Sequence, residues 1–420
     1  QEDVSGENST GMITVIYGSA DGLDLTTAEN IHQDTAGVDG INETGDHFGE
    51  ALAVGDFNGD GYDDAAVGVP DEDLSCSGVG CSDDNTGMVT IIYGSAIGLD
   101  PVGTSSGIDS HNIDQEDMSG LGYNNEDNDY CGSSVATGDF DGDGYDDLAF
   151  GCPGEDLDSN TVSNAGAVIV AYGQSAGLQV TGGSAYNQNV SGIGGNLETG
   201  DGYGHSLATG DVDGDGYDEL AVGIPYENTG DASGGNTTTD GGRISLIYGS
   251  NSGLTAAGAD IYHASDLAAV SSDQTQAYFG WDVTMGDFNG DGYDDLACGA
   301  QGWSSSTGAI GVFPGSSTGI NEAWGYFLDG ATASPWPLTS GSRFGMSLTA
   351  MDLDADGLDE LVAGAKDHDI GSASDTGAVL VMPGTALGAT IVSSQFWHQD
   401  LDEVPGANGD GDQFGRSLLK

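Results

Sequence analysis

One ten-residue stretch occurs five times in this chain: GDFNGDGYDD from Gly55, GDFDGDGYDD from Gly138, GDVDGDGYDE from Gly210, GDFNGDGYDD from Gly286 and MDLDADGLDE from Met351. Counted from the first aspartate, oxygen-bearing side chains recur at positions 1, 3, 5 and 9 of every copy. Such self-similarity makes this a repeat protein, whose units must stack on one another to bury a core.

The spacing has a chemical reason. A hard cation such as Ca2+ takes six to eight oxygens, and alternate residues of a tight loop can point inward together. In the first copy these are Asp56, Asn58, Asp60 and Asp64, with the backbone carbonyl of Tyr62 at position 7. The same roles fall to Asp139, Asp141, Asp143 and Asp147 with Tyr145, and to Asp211, Asp213, Asp215 and Glu219 with Tyr217. They fall next to Asp287, Asn289, Asp291 and Asp295 with Tyr293, and last to Asp352, Asp354, Asp356 and Glu360 with Leu358. Gly61 and its counterparts at position 6 supply the sharp turn. An EF-hand loop would close with a bidentate Glu at position 12; here that position is Val67, Phe150 or Val222, inside an apolar run that reads as a strand. Turn chemistry alone accounts for Gly and one Asp, but not for four oxygen positions held at one spacing. About five structural Ca2+ are expected.

The chain has 420 residues, 69 of them acidic against five basic, for a formal net charge of −64. That field repels nucleic acid phosphates and anionic membranes. Five Ca2+ would offset only part of it. Disorder is the usual outcome for so acidic a chain, yet 37% of it is hydrophobic, in regular β-type runs, so a fold conditional on calcium is expected. Neither a span of ~20 apolar residues nor a basic-plus-apolar leader is present in this sequence. Cys76 with Cys81 and Cys131 with Cys152 are spaced for two disulfides, leaving Cys298 as a buried thiol. Together with sequons at Asn8, Asn42, Asn189 and Asn236, this points to an extracellular or cell-surface setting.

Each repeat runs as a strand such as FGEALAVG, the acidic loop, a second strand such as DDAAVGVP, a variable loop, a third strand such as GMVTIIYGS and a polar fourth. The third strands (MITVIYGS, MVTIIYGS, AVIVAYGQ, RISLIYGS, AIGVFPGS, AVLVMPGT) are near-continuously apolar and predict burial on both faces. Four-stranded units repeated radially make a β-propeller, which leaves only short, protected sheet edges. The openings Phe48-Gly49, Tyr203-Gly204, Phe279-Gly280, Phe344-Gly345 and Phe414-Gly415, the GVP, GCP and GIP strand ends and the loop between them resemble the FG-GAP repeats of the integrin α-subunit propeller. The resemblance implies an all-β fold with calcium where first and second strands join. Departures are Cys131 for the aromatic, Glu219 and Glu360 at position 9, and the endings ACGAQ and VAGAK. Leu353 and Leu358 also depart in the last loop, which makes the fifth site the least regular.

On this reading residues 1–420 form one propeller domain: 1–47 the C-terminal part of a split blade, 48–413 five full repeats, and 414–420 a first strand. The complete ring would have six or seven blades. Either the sequence is a window on a longer chain, or a neighbouring molecule donates the missing strand in head-to-tail self-assembly. The first reading is preferred.

No catalytic constellation emerges. The seven histidines are scattered, with His32, His111 and His398 near polar fourth strands, and every strongly patterned carboxylate belongs to a metal loop. Asp73-Leu-Ser75-Cys-Ser77 matches the DxSxS adhesion-site pattern but lacks the α/β domain that pattern needs. Trp303, Trp324, Trp336 and Trp397, with the stiff Ser334 to Pro337 segment, do not follow the repeat; core packing is the simpler account, and sugar stacking or partner anchoring the alternative. The expected function is a non-enzymatic adhesion or structural module with a protein or glycan partner outside the cell. The alternatives are a lectin-like carbohydrate-binding propeller and a non-catalytic domain of a larger secreted enzyme.

Overall fold

A computed structural model describes residues 8–20, 22–74, 84–118, 120–157, 161–230, 236–267, 270–271, 273–333, 337–401, 404, 406 and 409–418. Cys76, Cys81, Trp336 and the serines of the DxSxS match lie outside the described residues. The chain divides into two units, one of residues 1–139, 143–187 and 197–204, the other of 140–142, 188–196 and 205–420.

The first unit holds a two-stranded sheet, β1 (Ile13–Ser19) with β2 (Gly22–Ile31), and two four-stranded antiparallel sheets. One is β3 (Leu52–Gly55), β4 (Asp64–Val69), β5 (Met88–Ile92) and β6 (His111–Ile113). The other is β7 (Ser134–Gly138), β8 (Asp147–Cys152), β9 (Ala167–Ala171) and β10 (Ser184–Tyr186).

The second unit holds three more sheets of the same plan and a short hairpin, β13 (Thr229–Gly230) with β14 (Asn236–Thr238). Its first sheet orders β11 (Ser206–Gly210), β12 (Glu219–Ile224), β15 (Arg243–Tyr248) and β16 (Thr255–Tyr262). Then come β17 (Phe279–Gly286), β18 (Asp295–Ala300), β19 (Ala309–Phe313) and β20 (Tyr326–Asp329). The last sheet is β21 (Phe344–Met351), β22 (Glu360–Ala365), β23 (Ala378–Met382) and β24 (Gln395–Trp397). Each up-and-down four-stranded sheet is a blade of a β-propeller.

Burial follows strand position. Second strands are buried at every residue, and third strands β5, β9 and β19 likewise, as their apolar runs require. β1 corrects the expectation for its own run: it alternates, with Ile16 38% exposed, because among the described residues β2 is its one strand partner, in a two-stranded sheet.

The two glycines of the repeat meet each other. A Cβ on Gly68 of β4 would stand 2.1 Å from the carbonyl oxygen of Gly132, which follows Cys131 at the start of the next blade. No side chain fits there, so the glycine in the middle of the second strand and the one after the opening aromatic are a matched pair that lets successive blades nest. The aromatic itself is core: Phe48, Tyr203, Phe279 and Phe344 are at most 2% exposed. In the second blade a disulfide between Cys131 and Cys152 occupies this place, and Cys298 is a buried free thiol, both as expected.

Candidate metal centres

Every acidic loop joins a first strand to a second strand, and the hydrogen bonds within it explain the residue pattern. In the first loop Asp56 accepts from the N–H groups of Asp60 (3.0 Å) and Gly61 (2.8 Å), and Asp60 accepts from Tyr62 (3.0 Å). The same bonds recur from Asp143 and Gly144 to Asp139, from Asp215 and Gly216 to Asp211, from Asp291 and Gly292 to Asp287, and from Asp356 and Gly357 to Asp352. Position 6 is left-handed throughout, φ 87° at Gly61, which is where glycine is needed. In the fifth loop Ala355 takes the left-handed place of a glycine, at φ 60°.

Position 9 begins the second strand and points into the sheet. Asp64 is fully buried, accepting from Phe57 N–H at 3.0 Å and from Gly94 N–H, after the third strand, at 2.7 Å. Asp147, Glu219 and Asp295 accept likewise from Gly173, Gly249 and Gly315. Burial pushes Asp64 and Asp295 up to about 7 and Glu219 up to about 8. A buried carboxylate with that tendency calls for a cation to offset its lost hydration.

Two oxygens on one Ca2+ stand no more than about 5 Å apart. Ligand atoms of Asp211, Asp213 and Glu219 lie within 4.8 Å of one another, uniting positions 1, 3 and 9 of the third loop. Asp139 and Asp147, positions 1 and 9 of the second, meet the same limit, and Asp141 sits between them in the turn. In the fourth, Asn289 Nδ2 donates to both oxygens of Asp295 at 3.0 and 3.2 Å. In the first, Asn58 Oδ1 accepts from Asp60 N–H at 2.9 Å while its Nδ2 is buried with no hydrogen-bond partner among the described residues. The fifth differs: Asp352, Asp354 and Asp356 converge and are exposed, while Glu360 lies outside the trio, accepting from Leu353 N–H at 2.8 Å. Meanwhile the cationic side chains Arg243, Arg343 and Lys366 pair with Glu227 and Asp367. The donor set is all oxygen and mostly anionic, which suits Ca2+ rather than a softer metal.

Two roles were not apparent from the sequence. Position 8 is aspartate in all five copies, and Asp146, Asp294 and Asp359 each accept the position-1 N–H of the preceding loop, from Asp56 (2.7 Å), Asp211 (3.0 Å) and Asp287 (2.9 Å). Position 7 seats its side chain over the preceding loop's position-4 glycine, Tyr145 on Gly59, Tyr217 on Gly142, Tyr293 on Gly214 and Leu358 on Gly290. Within each unit successive loops are therefore linked, and an unbroken run of acidic residues at position 8 was the signal available in the sequence.

The FG-GAP repeat family model matches residues 48–92, 132–170, 203–247, 279–313 and 344–382, one match per complete blade. The chain is built of FG-GAP repeats. Among curated relatives of this FG-GAP protein, integrin alpha-PS2 of Drosophila melanogaster is 30% identical over 283 residues, covering 64% of this chain and 18% of that protein. Integrin alpha pat-2 of Caenorhabditis elegans is 30% identical over 57% of this chain and 18% of its own length. Integrin alpha-IIb of Homo sapiens reaches 36% identity over 39% of this chain and 14% of its own length. The alignments thus span less than a fifth of each of these integrin chains. No helix among the described residues is long and apolar enough to cross a membrane.

Proposed function

We propose that this chain is a calcium-binding, non-enzymatic interaction module that works outside the cell. The observation that carries the reading is the convergence of Asp211, Asp213 and Glu219 within 4.8 Å, with Glu219 buried in its strand. Such a trio is costly without a cation and stable with one. Calcium would be ligated by positions 1, 3, 5 and 9 and by the position-7 carbonyl of Tyr62, Tyr145, Tyr217, Tyr293 and Leu358. It would hold each strand-joining loop in shape, leaving the loops at the other strand ends to meet a protein partner. The Cys131–Cys152 disulfide supports an oxidising compartment, where such bonds persist. The integrin α relatives support an adhesion or structural role.

The test is titration calorimetry of Ca2+ into chelator-stripped protein. About five sites are expected. The variant with Asp211→Ala and Glu219→Ala should bind one fewer; no calcium uptake by the native chain would refute the reading.

A further inference from the structure

At the opposite strand ends from the metal loops, the second unit carries a cleft of about 550 Å³ that no calcium ligand lines. That volume is ordinary for a small-molecule site. One wall is a cluster of half-buried rings, Tyr226, Tyr278 and Trp281, with the His205 ring tilted against Trp281 at a centroid distance of 4.7 Å. Gln301, 3% exposed, and Arg343 face them, and Thr275 stands on the rim.

We propose that this cleft binds a neutral carbohydrate. Three observations select that ligand class. First, 69 of the 420 residues are acidic, yet none of the described residues lining the cleft is. A cationic ligand would therefore find no carboxylate on its walls. Second, the one cation there, Arg343, is already neutralised by Asp367 at 2.9 Å, so an anionic ligand would meet the field of the whole chain without a free countercharge. Third, the rings meet edge to face, with centroids 5.8 to 6.1 Å apart and planes 73 to 77° from parallel. Rings packed on one another leave no cage for an ammonium group, but they do offer flat apolar faces. A sugar has the matching chemistry, C–H faces to lie on rings and hydroxyls to exchange hydrogen bonds with glutamine amides, serine hydroxyls and the guanidinium.

The cleft is also built in advance. Gln274 Oε1 accepts from Ser304 N–H at 3.1 Å, and Ser340 Oγ donates to the Ser305 carbonyl at 2.8 Å, tying the loops that form its two sides. Ser304, Ser305 and Ser306 hold three successive left-handed conformations, φ 52, 61 and 61°, a strained arrangement of the kind found at binding sites.

The calcium-loaded chain should be tested on an array of neutral hexose and N-acetylhexosamine oligosaccharides printed beside sialylated and sulfated ones and basic peptides. The strongest neutral ligand would then be titrated by calorimetry. Trp281→Ala should weaken binding by about tenfold or more. Thr275→Trp, which fills the exposed rim without touching the core, should do the same. Trp324→Ala, at a residue 67% exposed and outside the cleft, should leave the affinity unchanged. No neutral ligand, ligands confined to charged probes, or full affinity in Thr275→Trp would overturn the proposal. Calcium uptake measured on the same samples separates this outcome from failure of the metal sites.

Discussion

Asp146 accepts a 2.7 Å hydrogen bond from the backbone N–H of Asp56, ninety residues earlier in the chain. Each of these residues belongs to an acidic loop, so the bond joins two such loops directly. The pairs Asp294 with Asp211 and Asp359 with Asp287 repeat it. The position-1 aspartate of a loop is thus oriented by its own backbone and anchored by the next blade.

Removing the anchor should therefore destabilise two blades at once. Asp146→Ala leaves the Asp56 N–H without its charged acceptor, a loss of about 1.5–3 kcal/mol. Asp63→Ala is the control, since Asp63 holds position 8 in the first loop but is exposed. A surface substitution of that kind falls within about 0.5 kcal/mol. Urea unfolding of both variants in calcium checks the contrast; equal stabilities would remove the anchoring role.

Gly68→Ala should be among the most damaging single-methyl changes, because its Cβ would stand 2.1 Å from the Gly132 carbonyl oxygen. Overpacking against backbone costs about 1–3 kcal/mol or more. At Gly18 none of the described residues lies within 4 Å of the added atom, and Ala should be tolerated. Thermal melts of the two variants would show the difference.

Much of this was legible in the sequence. Positions 1, 3, 5 and 9 stand out because their purpose is local and repeats five times, and the apolar third strands announce buried sheets. The nesting of Gly68 on Gly132 and the reach of Asp146 to Asp56 were not legible, since each partner lies a whole repeat away and alternation within one strand says nothing of what the next blade presents. Trp281 escaped notice for a different reason. It occupies the place of Glu50, Ser133, His205 and Met346 in the other blades, so no repeat pattern marked it, and its meaning depends on Tyr226 and Tyr278 arriving from neighbouring loops. Ile16 in β1 marks a further limit: an apolar run predicts full burial only where strands pack on both sides.

Stability should fall with rising pH through Glu155. This side chain is 4% exposed, accepts from Gln115 Nε2 at 2.8 Å, and burial with Asp129 nearby pushes it up to about 9. Its folded value lies above the unfolded one, so the fold binds this proton more tightly. That contribution is complete below the ordinary carboxylate range and is lost as pH climbs toward 9. Glu155→Gln should then stabilise the protein at pH 8, by on the order of a few kcal/mol, and do much less at pH 5. Urea titrations at both pH values in calcium provide the check; a variant equally stable to the native chain at pH 8 would contradict it.

The Cys131–Cys152 disulfide closes a short loop in place of an aromatic core residue. Replacing both cysteines by serine should cost about 3 kcal/mol from chain entropy alone. Here the lost packing adds to that, and Cys131→Phe with Cys152→Val, restoring the residues found in the first blade, should recover part of the loss. Melting temperatures of the two double variants decide the matter.

The central claim is that calcium holds the strand-joining loops of the blades in their native form. Its most direct test is the thermal melt of the full chain in excess Ca2+, in EDTA, and after Ca2+ is restored. Binding only to the folded state at a hundred times the dissociation constant adds about 2.7 kcal/mol per site. The melting temperature should therefore drop markedly in EDTA and return with calcium; superimposable curves in all three conditions would contradict the account.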